Sequence, residues 1–451
     1  MKLKLHNSEI TTVFFIVLSL FFVGSVFGQT AGDYRSKNTA TANWSTLATW
    51  DRYNGSSWAT PTVGEGYPGQ NSGTGIVTIT NHPTGTVTLN VSPANSISTL
   101  QIGDTDGVAF ATLTNSGGRT LTITGDVTIY SAQDPSHVKN LNVNAGVLNI
   151  GGNLRVGTGA QASNLANRVS SLTITTGTVS VDGNLTLETR TGVGGNATQA
   201  AINIQGATGT FNLKGSFTLP NSRGTLNMSG TNSVFNYNGT SAGQTVLVGS
   251  SSVIYNNLKI NNTHSSGATL SAAVSETNVT GNISVGDINT GSLLNTNDLA
   301  LARGASDAIT VAAASTLNAG TTSVTWGATL GSITINGIFK TANTFGFSGA
   351  AGTAISSTNS PAITLGANST IDYNAAGAQD VTAITYANLT LSNSGDKTVF
   401  NATTVNSNLE ISGTAKGLLN NGGTSTTQTL SLGGVNQVLG SWGSTGSAAT
   451  N

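Results

Sequence analysis

Leu172 to Leu187 reads LTITTGTVSVDGNLTL. Leu172-Thr173-Ile174, Val179-Ser180-Val181 and Leu185-Thr186-Leu187 each set a small polar residue between two large apolar ones. Gly177 and the pair Gly183-Asn184 separate the three runs. Alternation at period two, broken by Gly and Asn, is the signature of short half-buried strands joined by tight turns. Ile174, Val181, Leu185 and Leu187 are therefore expected inside, with Thr173, Ser180 and Thr186 facing out.

The same unit returns along the chain. Leu121-Thr-Ile123 leads into Gly125-Asp126-Val127-Thr-Ile129, and Leu148-Asn-Ile150 into Gly152-Asn153-Leu154-Arg-Val156. Phe211-Asn-Leu213 leads into Gly215-Ser216-Phe217-Thr-Leu219. Gly125, Gly152, Gly183 and Gly215 recur at intervals of 27, 31 and 32 residues, and Gly281-Asn282-Ile283 follows 66 residues later, read as about two periods. A period of about 20 to 50 residues marks a repeat architecture. Three strands per period with no helical pattern between them predict an all-β fold, a right-handed parallel β-helix (β-solenoid). The handedness follows the general rule for parallel crossovers.

Composition supports an ordered winding. Charged residues are only 8% of the 451 and hydrophobic residues 37%, with 57 glycines. Low charge with abundant Gly, Thr, Ser and Asn also describes disordered chains. Here the regular Val/Ile/Leu/Phe alternation supplies a stripe to bury in every coil. Net charge is −1 with no basic run, so nucleic acid is not an expected partner. There is no cysteine, so stability must come from ladders and stacked side chains rather than disulfides.

Residues 1–28 read as a signal peptide. Lys2 and Lys4 give the positive start, Val13 to Val23 the apolar core, and Val26-Phe27-Gly28 a cleavage site before Gln29. The core is short for a membrane span. A retained anchor is the other reading, and no later stretch could span a bilayer as a helix. The expected location is secreted, extracellular or on the cell surface.

Residues 29–98 differ from the rest. Trp44, Trp50 and Trp58 sit with Tyr34, Tyr53 and Tyr67, and prolines stand at 61, 68, 83 and 93. A solenoid has an open end whose strand edges and core must be covered, so this stretch is expected to form an aromatic-rich N-terminal cap and the first strands. Asn43-Trp44-Ser45, Thr49-Trp50-Asp51, Gly55-Ser-Ser-Trp58, Pro68-Gly69 and Ile76-Val-Thr-Ile79 leading to Val87-Thr-Leu89 carry a likeness. Together they resemble the start of many exported Bacteroidetes surface proteins with β-helical bodies. Those proteins usually show a Gly-His-x-Val turn where this chain has His82-Pro83-Thr84-Gly85.

Residues 99–228 are expected to form coils of about 30 residues. Their loops vary in length at Tyr130 to Lys139, Gly157 to Ser171 and Arg190 to Ala200, which suits loops projecting from one edge. Residues 229–451 carry a longer related repeat, at 229–290 and again at 366–414. Val234-Phe-Asn-Tyr237-Asn238 returns as Thr370-Ile-Asp-Tyr373-Asn374, Gln244-Thr-Val246 as Gln379-Asp-Val381, and Tyr255-Asn-Asn257-Leu258 as Tyr386-Ala-Asn388-Leu389. This unit is similar to repeats of Bacteroidetes secreted adhesin-like proteins. Leu430-Ser-Leu432-Gly-Gly434-Val435 through Gly440-Ser-Trp442-Gly443 resembles a closing segment of β-helical surface proteins. There a further strand normally follows. The end is read as truncated, as plugged by Trp442, or as covered by something else.

Candidate chemistry is sparse. β-Helical lyases and hydrolases need clustered carboxylates, often with Ca²⁺, and a base. Asp104 and Asp106 could offer two carboxylates to Ca²⁺ or form a solvated turn before Gly107. No cofactor beyond that Ca²⁺ is expected. Asp134, His137 and Lys139 place acid, imidazole and amine on one loop. Glu188 and Arg190 read as a surface ion pair. Tyr237, Tyr255, Tyr373 and Tyr386 recur in register with the long repeat, where they either stack on sugar rings or pack in the core. The Gly-Asn pairs at 152–153, 183–184 and 281–282 have no helix after them to bind phosphate. Amide stacking between coils accounts for them better.

These residues favour an exported structural or adhesin-like solenoid presenting loops to carbohydrate or another cell-surface component, without catalysis. The alternative is a polysaccharide lyase or glycoside hydrolase of the β-helix type. An enzyme should line up at least three ionisable side chains on one lateral groove. A stalk should show small polar residues there.

Overall fold

The computed structural model describes residues 28–442 apart from 38–40, 81–85, 104–109, 132–137, 159–168, 188–199, 205–207, 221–222, 288–290, 329 and 421–424. Among these residues the protein is all-β, its one helical piece being a 3₁₀ turn at Leu47–Thr49. The strands stack in long parallel ladders, consistent with a β-solenoid.

In the middle of the chain each coil supplies three strands, and like pairs with like. The first face stacks Ala111–Asn115, Lys139–Asn144, Ser170–Ile174, Ala200–Asn203 and Gly224–Met228. The second stacks Thr120–Ile123, Val147–Ile150, Thr178–Val181, Thr210–Leu213 and Val234–Tyr237, and runs on to Ala362–Leu365. The third stacks Ile97–Ile102, Val127–Tyr130, Leu154–Thr158, Leu185–Leu187 and Phe217–Thr218. From Gln244–Val246 a new ladder takes the third strand of each coil and continues through Thr370–Tyr373 to Asn388–Leu391.

The register puts like side chains on top of one another. Leu148 pairs with Leu121 beneath and Val179 above, and Val179 with Phe211. All four are buried. Each such side chain contributes about 1.5–3 kcal/mol relative to exposure. Ile174, Val181, Leu185 and Leu187 are buried as expected, while Thr173, Ser180 and Thr186 lie partly exposed outside.

The corner between second and third faces is the same three residues long in four successive coils. It reads Thr124-Gly125-Asp126, Gly151-Gly152-Asn153, Asp182-Gly183-Asn184 and Lys214-Gly215-Ser216. The Gly152 N–H donates to the Gly125 carbonyl (2.9 Å), Gly183 to Gly152 (2.9 Å) and Gly215 to Gly183 (3.1 Å). A Cβ on Gly183 would lie 2.5 Å from the Gly152 carbonyl oxygen, and one on Gly215 2.2 Å from that of Gly183. Glycine stands here because the coils touch backbone to backbone. Beside this column the Asn153 N–H donates to Asp126 Oδ1 (2.7 Å), Asn184 to Asn153 Oδ1 (2.9 Å) and Ser216 to Asn184 Oδ1 (2.8 Å). The Gly-Asn pairs suggested stacked amides; the bonds run instead from a backbone N–H to the side-chain oxygen of the coil below, with Asn153 Nδ2 also donating to Asp126 Oδ1 (3.1 Å).

Gly281 belongs to a different column. It precedes a second-face strand, whereas Gly215 follows one. Phe211, Phe235, Leu258 and Ile283 are successive partners, so the gap holds three shorter coils rather than two. Asn282 has its own ladder, its N–H donating to Asn257 Oδ1 (2.9 Å) and its Oδ1 accepting from the Ala308 N–H (2.8 Å). The two copies of the longer repeat also differ in position. Val234–Tyr237 lies in the second-face ladder and Thr370–Tyr373 in the third. The second copy is thus turned by one face.

The longer connections of these coils fall at one corner, while the corner between first and second faces varies only from two to six residues. Residues 103–110, 131–138, 159–169 and 188–199 all connect a third-face strand to the next first-face strand.

At the N-terminal end Tyr34–Ser36 pairs antiparallel with Trp50–Tyr53, which pairs antiparallel with Trp58–Ala59. Parallel stacking has already begun, through Thr74–Ile79 on Tyr34–Ser36 and Thr86–Leu89 on Thr41–Asn43. Trp44 and Trp50 are fully buried with ring centroids 4.9 Å apart, edge to face. Their indole N–H groups donate to Pro68 and Trp44 carbonyls (2.9 and 2.8 Å). Trp58 departs from that group. It lies partly exposed between Tyr53 and Arg35.

At the other end Thr414–Leu419 pairs with Ser394–Val399 on one edge, and Thr426–Leu432 ends in a short antiparallel return at Val435–Asn436. Leu418, Leu419, Leu432, Val435, Val438 and Leu439 are exposed. Trp442 donates its indole N–H to Val438 (3.2 Å) and leaves them uncovered, so it is not a plug.

Candidate functional site

The four repeat tyrosines correct the sugar-stacking expectation. Tyr237, Tyr255, Tyr373 and Tyr386 are all closed to solvent, so none offers a ring face to a ligand. Inward alternation carries them to the core, where the hydroxyls must find partners. They find each other. The Tyr237 and Tyr255 hydroxyls are 2.9 Å apart, and those of Tyr373 and Tyr386 2.8 Å. The Leu247 N–H donates to Tyr237, and Tyr255 donates to the Leu247 carbonyl (3.2 and 2.8 Å). In the second copy Thr382 takes the place of Leu247 with both Tyr373 and Tyr386.

Each repeat also carries a buried glutamine. Gln244 Nε2 donates to the Leu213 and Gly215 carbonyls, and its Oε1 accepts from the Gly239 N–H. Gln379 repeats this with Thr341, Asn343 and Ala375. A fourth group bonds the glutamine oxygen from the next coil. It is Asn262 Nδ2 in the first copy and Lys397 Nζ in the second. Burial drives the tyrosine pKa values up, Tyr237 to about 12 and Tyr255, Tyr373 and Tyr386 also above the ordinary value. Burial pulls the Lys397 amine down, with Asp372 opposing.

Lys139 corrects another expectation. Its amine is not on the projecting loop. Lys139 is fully buried, in register with Ala111 and Ser170. Alternation with Leu141 and Val143 sends it inward, and small neighbours above and below leave it room. Asp134 and His137 lie outside the described residues, as do Asp104, Asp106, Glu188 and Arg190.

Arg303 escaped the sequence reading. It is buried, donates to the carbonyls of Val279 and Gly281, and pairs with Asp307 (2.9 Å). Desolvation lowers its pKa to about 10, against the pull of Asp307 and Glu276. The available signal was an arginine at an inward position, Leu301-Ala302-Arg303, with an aspartate four residues on.

The outer surface of the ladders is mostly small and polar. Along the second face Thr122, Asn149, Ser180 and Asn212 follow one another in register, then the buried Asn236 and, after it, Lys259. They bond along the axis, Asn212 Nδ2 to Ser180 Oγ (3.2 Å) and Asn236 Nδ2 to Asn212 Oδ1 (3.0 Å). The most ionisable row carries Lys340, Asp372 and Glu410, with Thr390 between the two carboxylates. Asp372 is held by Lys340 (3.5 Å) and by the Ser392 hydroxyl (2.6 Å). Among the described residues no three His, Cys, Asp or Glu side chains are grouped to hold a metal, and no helix is long and apolar enough to cross a membrane.

Compared with protein-family models, curated proteins and solved structures, the chain matches none.

Proposed function

We propose that this protein is an exported, adhesin-like solenoid of the Bacteroidetes secreted type. It is a non-catalytic scaffold presenting loops to carbohydrate or another cell-surface component. The carrying observation is the outer side of the second ladder, where Thr122, Asn149, Ser180 and Asn212 stand in one row; the row with three ionisable groups, Lys340, Asp372 and Glu410, is interrupted by Thr390, and its Asp372 is already held by Lys340 and Ser392. As far as Asn236 the first of these rows offers hydrogen bonds and no acid or base, and Lys259, next in register, is paired with Asp287 (3.2 Å). The connections at 131–138, 159–169 and 188–199, which share one corner, supply the presenting edge. We infer further that the winding is right-handed, after the preference of parallel crossovers, and that Trp44 and Trp50 belong to a cap over its first coils.

The test is a glycan array combined with a polysaccharide-depolymerisation screen on the 29–451 protein. Binding without release of reducing ends or unsaturated sugars is expected. Release of either product would overturn the non-catalytic reading in favour of a β-helical lyase or hydrolase.

A further inference from the structure

The N-terminal segment holds a polar cleft of about 240 Å³ between Tyr34–Ser36, Trp50–Tyr53 and the turns at residues 64–74. Tyr34, Arg52, Glu65, Asn71, Ser72 and Thr74 line it. Its walls are held by hydrogen bonds. The buried Tyr34 hydroxyl bonds to the Gly66 carbonyl (3.1 Å). Arg52 Nη1 donates to Glu65 Oε1 (2.7 Å), and Glu65 Oε2 accepts the N–H and hydroxyl of Thr62 (2.8 and 2.9 Å). Asn71 Nδ2 donates to the carbonyls of Gly64 and Glu65 (3.0 and 3.2 Å).

What remains is a mixed set of groups. Among the described residues Arg52 Nε and Nη2, Asn71 Oδ1 and the Ser72 hydroxyl keep hydrogen-bonding capacity. Donors and acceptors therefore stand side by side. The formal charge is balanced, because Arg52 and Glu65 cancel. An anion would meet the Glu65 carboxylate, and a cation would meet a carboxylate already satisfied by Arg52 and Thr62. The volume is just below the roughly 300 Å³ at which sites for drug-sized ligands begin. Tyr34 is only 2% exposed, so recognition here uses hydroxyl groups and not ring stacking.

We propose that this cleft binds the adjacent hydroxyl groups of a single neutral sugar residue. The proposal rests on the carbohydrate-binding part of the function above, and moves the contact from the loops to the N-terminal segment. The Arg52–Glu65 pair and Asn71 give a vicinal diol a donor on one side and an acceptor on the other.

Saturation-transfer NMR on the 29–451 protein tests it, with methyl glycosides of glucose, galactose, mannose and xylose as probes and methyl glucuronoside as the charged counterpart. At least one neutral glycoside should bind with a Kd of about 1 mM or somewhat tighter. Ser72→Phe, which fills the cleft from an exposed turn, should weaken it at least tenfold with an unchanged melting curve. Asn71→Ala should weaken it in the same direction. Equal binding to wild type and to a folded Ser72→Phe protein would overturn the cleft while leaving carbohydrate binding elsewhere intact. Tighter binding of the glucuronoside would overturn the neutral-ligand assignment. No binding by any glycoside, here and on the glycan array, would overturn both readings.

Discussion

Gly183 shows how much rests on single atoms. Its Cα faces the backbone of Gly152 in the coil below, and a methyl group there would sit 2.5 Å from a carbonyl oxygen. Neither backbone can yield without opening the hydrogen bond between them. Gly183→Ala is expected to cost about 1–3 kcal/mol as an overpacking change. Gly377→Ala is the control, since nothing lies within 4 Å of its would-be Cβ. That change should be neutral or stabilising by about 0.4–1 kcal/mol through the unfolded chain. Urea unfolding of the two variants decides. Equal midpoints would show that the coils have slack at this corner.

At the scale of the element, each long repeat carries a tyrosine clasp and, separately bonded, a buried glutamine, and both tie one turn of the winding to the next. An unfolded tyrosine ionises near pH 10, whereas Tyr237 holds its proton to about 12. Between those values the folded chain binds more protons than the unfolded one. The clasp's contribution is therefore complete below pH 10 and is lost as pH rises through 12, about 3 kcal/mol for Tyr237 alone. Arg303 and Lys397 are shifted downward and act in the opposite sense, their contributions growing with pH. Tyrosinate absorbance, followed together with circular dichroism, is accordingly the readout. The clasp tyrosines should ionise only as the β signal disappears. Ionisation of all eight tyrosines near pH 10 with the fold intact would show that the clasps are open to water.

At the scale of the whole winding, residues 34–89 and 414–442 are unlike. Near the start, antiparallel strands and two buried tryptophans lie against the first coils. Near the finish, Thr414–Leu419 exposes Leu418 and Leu419, and the return beyond Leu432 exposes Val435, Val438 and Leu439. Among the described residues Thr414–Leu419 pairs along one edge only, and free backbone beside exposed apolar side chains is a template for edge-to-edge association. Light scattering of the 29–451 protein should show association that grows with concentration. Leu419→Lys, a charge on that edge, should reduce it several-fold. An identical, concentration-dependent profile for this variant would place the contact elsewhere.

Strands, sidedness and corners were legible in the sequence because they are local. Period-two alternation at Leu172–Leu187 settles which side chains go in, and the spacing of Gly125, Gly152, Gly183 and Gly215 follows from coils too close for a Cβ. The shared corner of the connections at 131–138, 159–169 and 188–199 was equally visible as variable spacing between regular runs. Only the tertiary structure decided what stacks on what. It placed three coils between Gly215 and Gly281, turned the second repeat by one face, and closed the four tyrosines into the core. It also drew Lys139 and Arg303 inside. The reason is physical. A residue's neighbour in a winding is whatever the coil below presents, so its identity depends on the summed lengths of intervening loops. Gln244 and Gln379 each bond carbonyls about 30 to 40 positions earlier, a separation that no local pattern encodes.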